Sequence, residues 1–90
     1  MVRCSILVDG RVQGVGFRYF TQMTASTLNL TGWCENLING KVQIEVQGSE
    51  ENINFFISKI KQGNNFCRVT NVEVVNIPVI NNEKKYSMKY

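Results

Sequence analysis

Arg18 closes a run of nine residues, Gly10 to Arg18 (G-R-V-Q-G-V-G-F-R), whose composition suits the binding of an oxyanion. Gly10, Gly14 and Gly16 can take positive φ values that turn successive backbone N–H groups into one concavity. The run lies between a strand-like segment and a helix-like segment, so a helix N-terminus adds unpaired donors and partial positive charge. Arg18 then falls in the first helical turn, where the helix dipole disfavours a cation unless an anion sits beside it. An anion is therefore expected. A second residue that breaks a local rule is Asn36, which stands in a strand segment although asparagine has poor β propensity. Alternation puts Asn36 on the face of Cys34 and not on that of Trp33. Local conflicts of this kind gather at functional sites.

The composition excludes several chemistries. The chain has no histidine, which removes His-assisted Ser or Cys nucleophiles and the commonest zinc ligands. Cys4, Cys34 and Cys67 are odd in number and widely spaced, so they read as small apolar fillers and not as a disulfide framework or a metal clamp. The net charge of +3 comes from ten scattered Lys and Arg, with only Lys84 and Lys85 adjacent. That is too thin for a nucleic-acid footprint, although a mild positive field helps a small anion arrive. With 90 residues and 43% hydrophobic composition, a single domain over residues 1–90 is expected. No apolar run approaches the ~20 residues needed to cross a bilayer, and no signal-peptide pattern opens the chain, so a cytoplasmic monomer without membrane contact is expected.

The elements that must position these groups follow from periodicity. Residues 3–9 alternate, with Cys4, Ile6 and Val8 on one face, and read as a first strand. From about Phe17 to Asn29, Phe20, Met23, Thr27 and Leu30 recur at helical steps. Gly32 then breaks the pattern. Trp33 to Leu37, the Asn39-Gly40 turn, and the alternating Val42, Ile44 and Val46 make a hairpin. Ser49 followed by Glu50 and Glu51 starts a second helix over about 50–62 with Ile53, Phe56, Ile57 and Ile60 inward, and Gly63 stops it. Val69 to Ile77 is rich in β-branched residues, and Tyr86 to Tyr90 is a short edge strand. This is an α+β, ferredoxin-like β-α-β-β-α-β plan: an antiparallel sheet, two helices on one face, and a short fifth strand at the C-terminus. In it the first two strands are parallel, so the glycine loop and Asn36 meet at one edge.

At this point the chain resembles a family. G-R-V-Q-G-V-G-F-R, followed by G-W-C-E-N-L-I-N-G-K-V at 32–42, is similar to the motifs of the acylphosphatases, and length and element order agree over essentially all of the chain. The resemblance implies hydrolysis of acyl phosphates to a carboxylate and phosphate, with Arg18 binding the phosphoryl group and Asn36 positioning the attacking water. It makes Gln13, Gly14, Val15, Gly16, Phe17 and Arg18 the phosphate-binding loop; inorganic phosphate and sulfate fit the same cradle and are expected to compete with substrate. The family's second motif usually has valine at the position of Cys34 and aspartate at that of Asn39; neither position is catalytic.

The chemistry is consistent with these residues on physical grounds. A carboxylate leaving group, whose conjugate acid has a pKa of roughly 4, needs no general acid at neutral pH. Loop amides, a guanidinium and a carboxamide can stabilise the phosphoryl oxygens and align a water, so no metal and no cofactor are expected. Asp9 and Glu35 read as solvated carboxylates. Nucleotide loops do not fit, because no Gly-Lys-Ser/Thr follows the last glycine and Tyr19 stands where a dinucleotide loop needs glycine. A catalytically silent anion-binding or regulatory module of the same fold is one alternative. An RNA-binding module is another, suggested by G-V-G-F-R-Y-F at 14–20; its aromatics would have to lie on the third strand, and 41–47 has none.

Overall fold

The alternation of apolar residues that begins the chain becomes β1 (Val2–Arg11), with Cys4, Ile6 and Val8 all buried under the helices. The structure, a computed structural model, describes all residues from Met1 to Tyr90. β1 runs past Asp9, the expected end, and takes in Gly10, which therefore belongs to the sheet and not to the anion loop. Gly10 has φ +129° at a register shift against β4, and a Cβ there would meet the Arg68 carbonyl oxygen at 2.0 Å. It is glycine because two backbones approach closely at a bulge.

The first helix, α1 (Phe17–Thr27), ends two residues short of the expected Asn29 and buries a different face. Phe17, Thr21 and Ala25 point inward, while Met23 and Thr27 are exposed and Phe20 is half-buried. The expected stripe of Phe20, Met23, Thr27 and Leu30 was displaced because a polar residue occupies the inner face. The Thr21 hydroxyl donates to the Arg18 carbonyl at 2.7 Å and accepts from the Tyr86 hydroxyl at 2.9 Å, so its burial leaves nothing unsatisfied. Leu30 is buried, but beyond the helix.

β2 (Thr31–Asn36) begins before Trp33 and contains Gly32, whose φ of +142° and close approach to the Glu45 carbonyl make it a cross-strand contact and not a break. The hairpin to β3 (Val42–Gly48) turns at Asn39-Gly40, where Asn39 Oδ1 accepts from the Lys41 N–H at 3.0 Å. α2 (Glu50–Gln62) has the expected bounds: the Ser49 hydroxyl caps the Asn52 N–H at 3.2 Å, Ile53, Phe56 and Ile60 are buried, and Gly63 ends it with φ +70°.

β4 (Arg68–Ile77) and β5 (Tyr86–Lys89) complete a sheet of order β4-β1-β3-β2-β5. β1 and β2 both pair antiparallel with β3 and so run in the same direction, which brings the end of β2 and the loop after β1 to one edge. β5 pairs parallel with β2, so the sheet is mixed and not wholly antiparallel as expected. The reason is topological. β4 ends where β2 begins, and a chain that crosses to the far edge at that end must then run alongside β2.

That crossing segment is fixed on the face away from the helices. Arg3, with a fully buried side chain, holds Glu83 at 2.7 Å and Glu45 at 3.0 Å and donates to Gln47 Oε1 at 3.2 Å, while Gln47 also exchanges two hydrogen bonds with the backbone of Ile80. Burial pushes the Glu83 carboxyl up, but hydrogen bonds from Arg3 and Thr31 and the Arg3 charge together leave it below the usual glutamate range. A depressed carboxyl stabilises the fold fully above the unfolded value of about 4.3, and that contribution disappears as pH falls through the folded value. Glu83→Gln is expected to lower stability at neutral pH by about 2 kcal/mol and to flatten the fall in melting temperature below about pH 4.5, as read by thermal melts across pH.

Candidate active site

Between β1 and α1 the chain makes the loop 12–16, and two of its residues need left-handed backbone: Gly14 with φ +72° and Gly16 with φ +74°, each with open space where a Cβ would point. Gly16 is also the N-cap of α1 and offers no side-chain acceptor to the first turn. Outside the regular elements, no hydrogen bond is donated by a backbone N–H of residues 13–19; the first is Phe20 N–H to the Gly16 carbonyl at 3.0 Å. Seven consecutive donors thus have no acceptor within the protein, as anion binding requires.

The loop is held by its other polar groups. Gln13 Nε2 donates to the carbonyls of Leu37 at 2.7 Å and Lys41 at 2.9 Å, which ties the loop to the β2–β3 hairpin. Asn64 Nδ2 donates to the Val15 carbonyl at 3.2 Å from the opposite side. Phe17 is buried and Val15 packs against the core.

These restraints shape a recess of about 240 Å³. Gly14, Gly16, Phe17 and Arg18 line it from the loop and first turn, Asn36 lines it from the end of β2, and Met88 and Tyr90 line it from the C-terminal strand. The structure therefore brings Arg18 and Asn36 together with Gly14, Gly16 and Phe17 of the expected loop, while Gln13 and Val15 anchor the loop and do not line the recess. A larger hollow of about 560 Å³, bordered by Gln22, Lys84 and Lys85, contains none of these groups.

Arg18 is not the lone cation that its sequence position suggests. Its Nη1 donates to the Lys89 carbonyl at 3.3 Å, and its guanidinium lies 5.0 Å from the centre of the Tyr90 ring. Met88 and Tyr90 escaped the sequence reading because only the parallel pairing of β5 with β2 carries them to the site. Beneath Arg18, Cys34 Sγ approaches its carbonyl at 3.9 Å, and burial, reinforced by the adjacent Cys34, pushes the Tyr86 phenol far up, so that it stays a neutral donor to Thr21. All three cysteines are free thiols; Cys4 and Cys34 are buried and Cys67 is half-buried. Asp9 pairs with Lys41 at 3.3 Å, and Glu35 faces the other side of the sheet.

Asn36 Oδ1 is buried without a hydrogen-bond partner in the protein. A buried amide oxygen left so costs about 1–3 kcal/mol and calls for an explanation. Asn36 lines the same recess as Arg18 and the donor-rich loop.

The fold is a mixed-sheet ferredoxin-like domain, and its glycine loop carries no nucleotide fingerprint. The chain belongs to the acylphosphatase family, whose model matches residues 4–88. It is 58% identical to the acylphosphatase of Clostridium beijerinckii over 90 residues, covering all of both chains. The crystal structure of acylphosphatase from Bacillus subtilis superposes with a TM-score of 0.95 at 40% identity, again over the whole of each chain. The chain also matches 12% of full-length HypF in its phosphate- and nucleotide-bound form, with a TM-score of 0.91, 31% identity and 99% of this chain covered. Hydrolysis of acyl phosphates is its activity.

Arg18→Gln is expected to abolish most binding of inorganic phosphate, read by calorimetry. The bond to Lys89 and the Tyr90 contact are lost with it and offset the ~0.3–1 kcal/mol gained at the helix N-terminus, so the melting temperature should stay close to that of the parent.

Proposed function

We propose that residues 1–90 act as one catalytic domain in which Arg18 and the loop amides hold the phosphoryl group and Asn36 aligns the attacking water. The observation that carries this reading is the unpartnered Asn36 Oδ1: it is a free acceptor on a residue that lines the recess, and a water O–H is the donor that suits it. The loop supplies the phosphoryl oxygens with N–H donors from Gly14, Gly16 and neighbouring residues, and the guanidinium adds a planar pair of donors. Both strengthen as charge builds on the equatorial oxygens.

In the proposed step the water oxygen forms a bond to phosphorus while the bond from phosphorus to the acyl oxygen breaks. The electron pair leaves with the carboxylate, which is stable at neutral pH without a proton. The water proton passes to a phosphoryl oxygen of the substrate. Asp9 is engaged by Lys41 and Glu35 is on the opposite face, so neither is placed to take it. Metal-independence rests on this leaving group, which needs no Lewis acid to depart. The exposed Tyr19 and Tyr90 and the half-buried Met88 border the recess and give the acyl chain an apolar surface.

Inorganic phosphate, a product, and sulfate compete for the same loop; full-length HypF, 12% of which matches this chain, has a phosphate- and nucleotide-bound form. Every group in the recess comes from one chain, so a monomer suffices, and three free thiols suit the reducing cytoplasm. No helix is long and apolar enough to cross a membrane. The third strand carries no aromatic residue to stack a base, which favours a small-molecule substrate over RNA. A silent anion-binding module would have no use for the orphaned Asn36 oxygen.

The protein is expected to hydrolyse benzoyl phosphate with no added metal, at a rate unchanged by chelator and flat through neutral pH because no histidine titrates there. Chelator sensitivity would overturn the metal-free step. Asn36→Ala should lower kcat about 10²-fold or more with phosphate affinity nearly unchanged. Its melting temperature should hold or rise, because the substitution removes a buried acceptor that nothing in the protein satisfies. A clear drop in melting temperature with kcat intact would assign Asn36 to the hairpin and not to the site.

A further inference from the structure

We infer that Asn64, on the turn between α2 and β4, is a positioning residue of the phosphate loop: it sets the direction of the Gly16 N–H by holding the carbonyl on the other side of the same peptide. This rests on the reading of the loop as the phosphoryl site. The Val15–Gly16 peptide is trans, as is every other peptide in the chain, so its C=O and N–H point in opposite directions. Asn64 Nδ2 donates to the Val15 carbonyl at 3.2 Å, and Gly16 borders the recess. A peptide fixed by its oxygen on the outer side has its N–H directed inward.

The Asn64 side chain is itself fixed. Its Oδ1 accepts from the N–H of Phe66 at 2.9 Å and of Cys67 at 2.7 Å, which settles which end of the amide is oxygen and leaves Nδ2 for the loop. Its backbone N–H donates to Cys67 Sγ at 3.3 Å. Gly63, directly before it, takes a positive φ that ends α2 and lets the chain turn here. Nothing else bonds the Val15 carbonyl, and glycines on both sides of Val15 leave this peptide free to rotate if the tether is cut. The loop is thereby clamped from two directions by side-chain amides: Gln13 to the hairpin and Asn64 to the far turn.

Asn64 has two functions that can be separated, capping its own turn through Oδ1 and orienting the loop through Nδ2. Asn64→Asp keeps an acceptor for Phe66 and Cys67 and replaces the donor with an oxygen that repels the Val15 carbonyl. Asn64→Ala removes both. Inorganic phosphate affinity, kcat and KM for benzoyl phosphate, and thermal melts are measured for both variants at high ionic strength, where the added charge of aspartate is screened.

Both variants are expected to bind phosphate about 5- to 10-fold more weakly and to raise KM more than they lower kcat, the opposite of the split expected for Asn36→Ala. Only Asn64→Ala should melt at a clearly lower temperature. If Asn64→Asp binds phosphate as the parent does, or if it loses activity only in proportion to folded protein, Asn64 is a turn residue alone. If the parent itself does not bind phosphate, the reading of the loop is overturned, and the role of Asn64 that rests on it falls too.

Discussion

The rest of the structure depends on a run of backbone N–H groups, from Gln13 to Tyr19, that the protein does not use. Buried or half-buried donors normally find acceptors, and a loop of this length would satisfy its own by turning or by extending the helix backwards. Here it is prevented from doing so. Two left-handed glycines set the backbone and Asn64 holds the Val15 carbonyl, and in the proposed reading the free donors serve a phosphoryl group in the recess. In that reading a bound anion replaces the internal hydrogen bonds they lack, and the fold is the frame that keeps them available.

That frame is arranged around the loop from three directions. β1 delivers the chain to the edge where β2 ends, the hairpin anchors Gln13, and the α2–β4 turn anchors Val15. The fourth boundary, β5, exists only because the segment after β4 crosses to the far side of the sheet. The buried Arg3 with Glu83, Glu45 and Gln47 fixes that crossing at the end of the sheet away from the site. An ion pair with no place in the chemistry thus supports the strand that carries the Lys89 carbonyl and the Tyr90 ring to Arg18.

Much of this was legible in the residues, and the exceptions share a cause. Alternation located β1 and β3, the cap and the glycine bounded α2, and the glycine run with Arg18 and Asn36 identified the edge that matters. The features that went astray depend on contacts distant in sequence. The inner face of α1 runs through Thr21, which hydrophobicity places outside and which the Tyr86 hydroxyl, from the other end of the chain, allows inside. Gly10 and Gly32 looked like loop and helix-breaking residues because the backbones pressing on them, at Arg68 and Glu45, belong to neighbouring strands. The direction of β5 and the reach of Asn64 to Val15 are likewise products of topology that no local pattern records.

Backbone amide NMR during titration with inorganic phosphate addresses the central claim, because it observes the donors themselves. The largest shifts are expected on the N–H groups of residues 13–19, with the Arg18 guanidinium and the Asn36 carboxamide responding at the same concentrations. Shifts concentrated at Lys84 and Lys85 beside the larger hollow, with the amides from Gly14 to Arg18 unmoved, would contradict it.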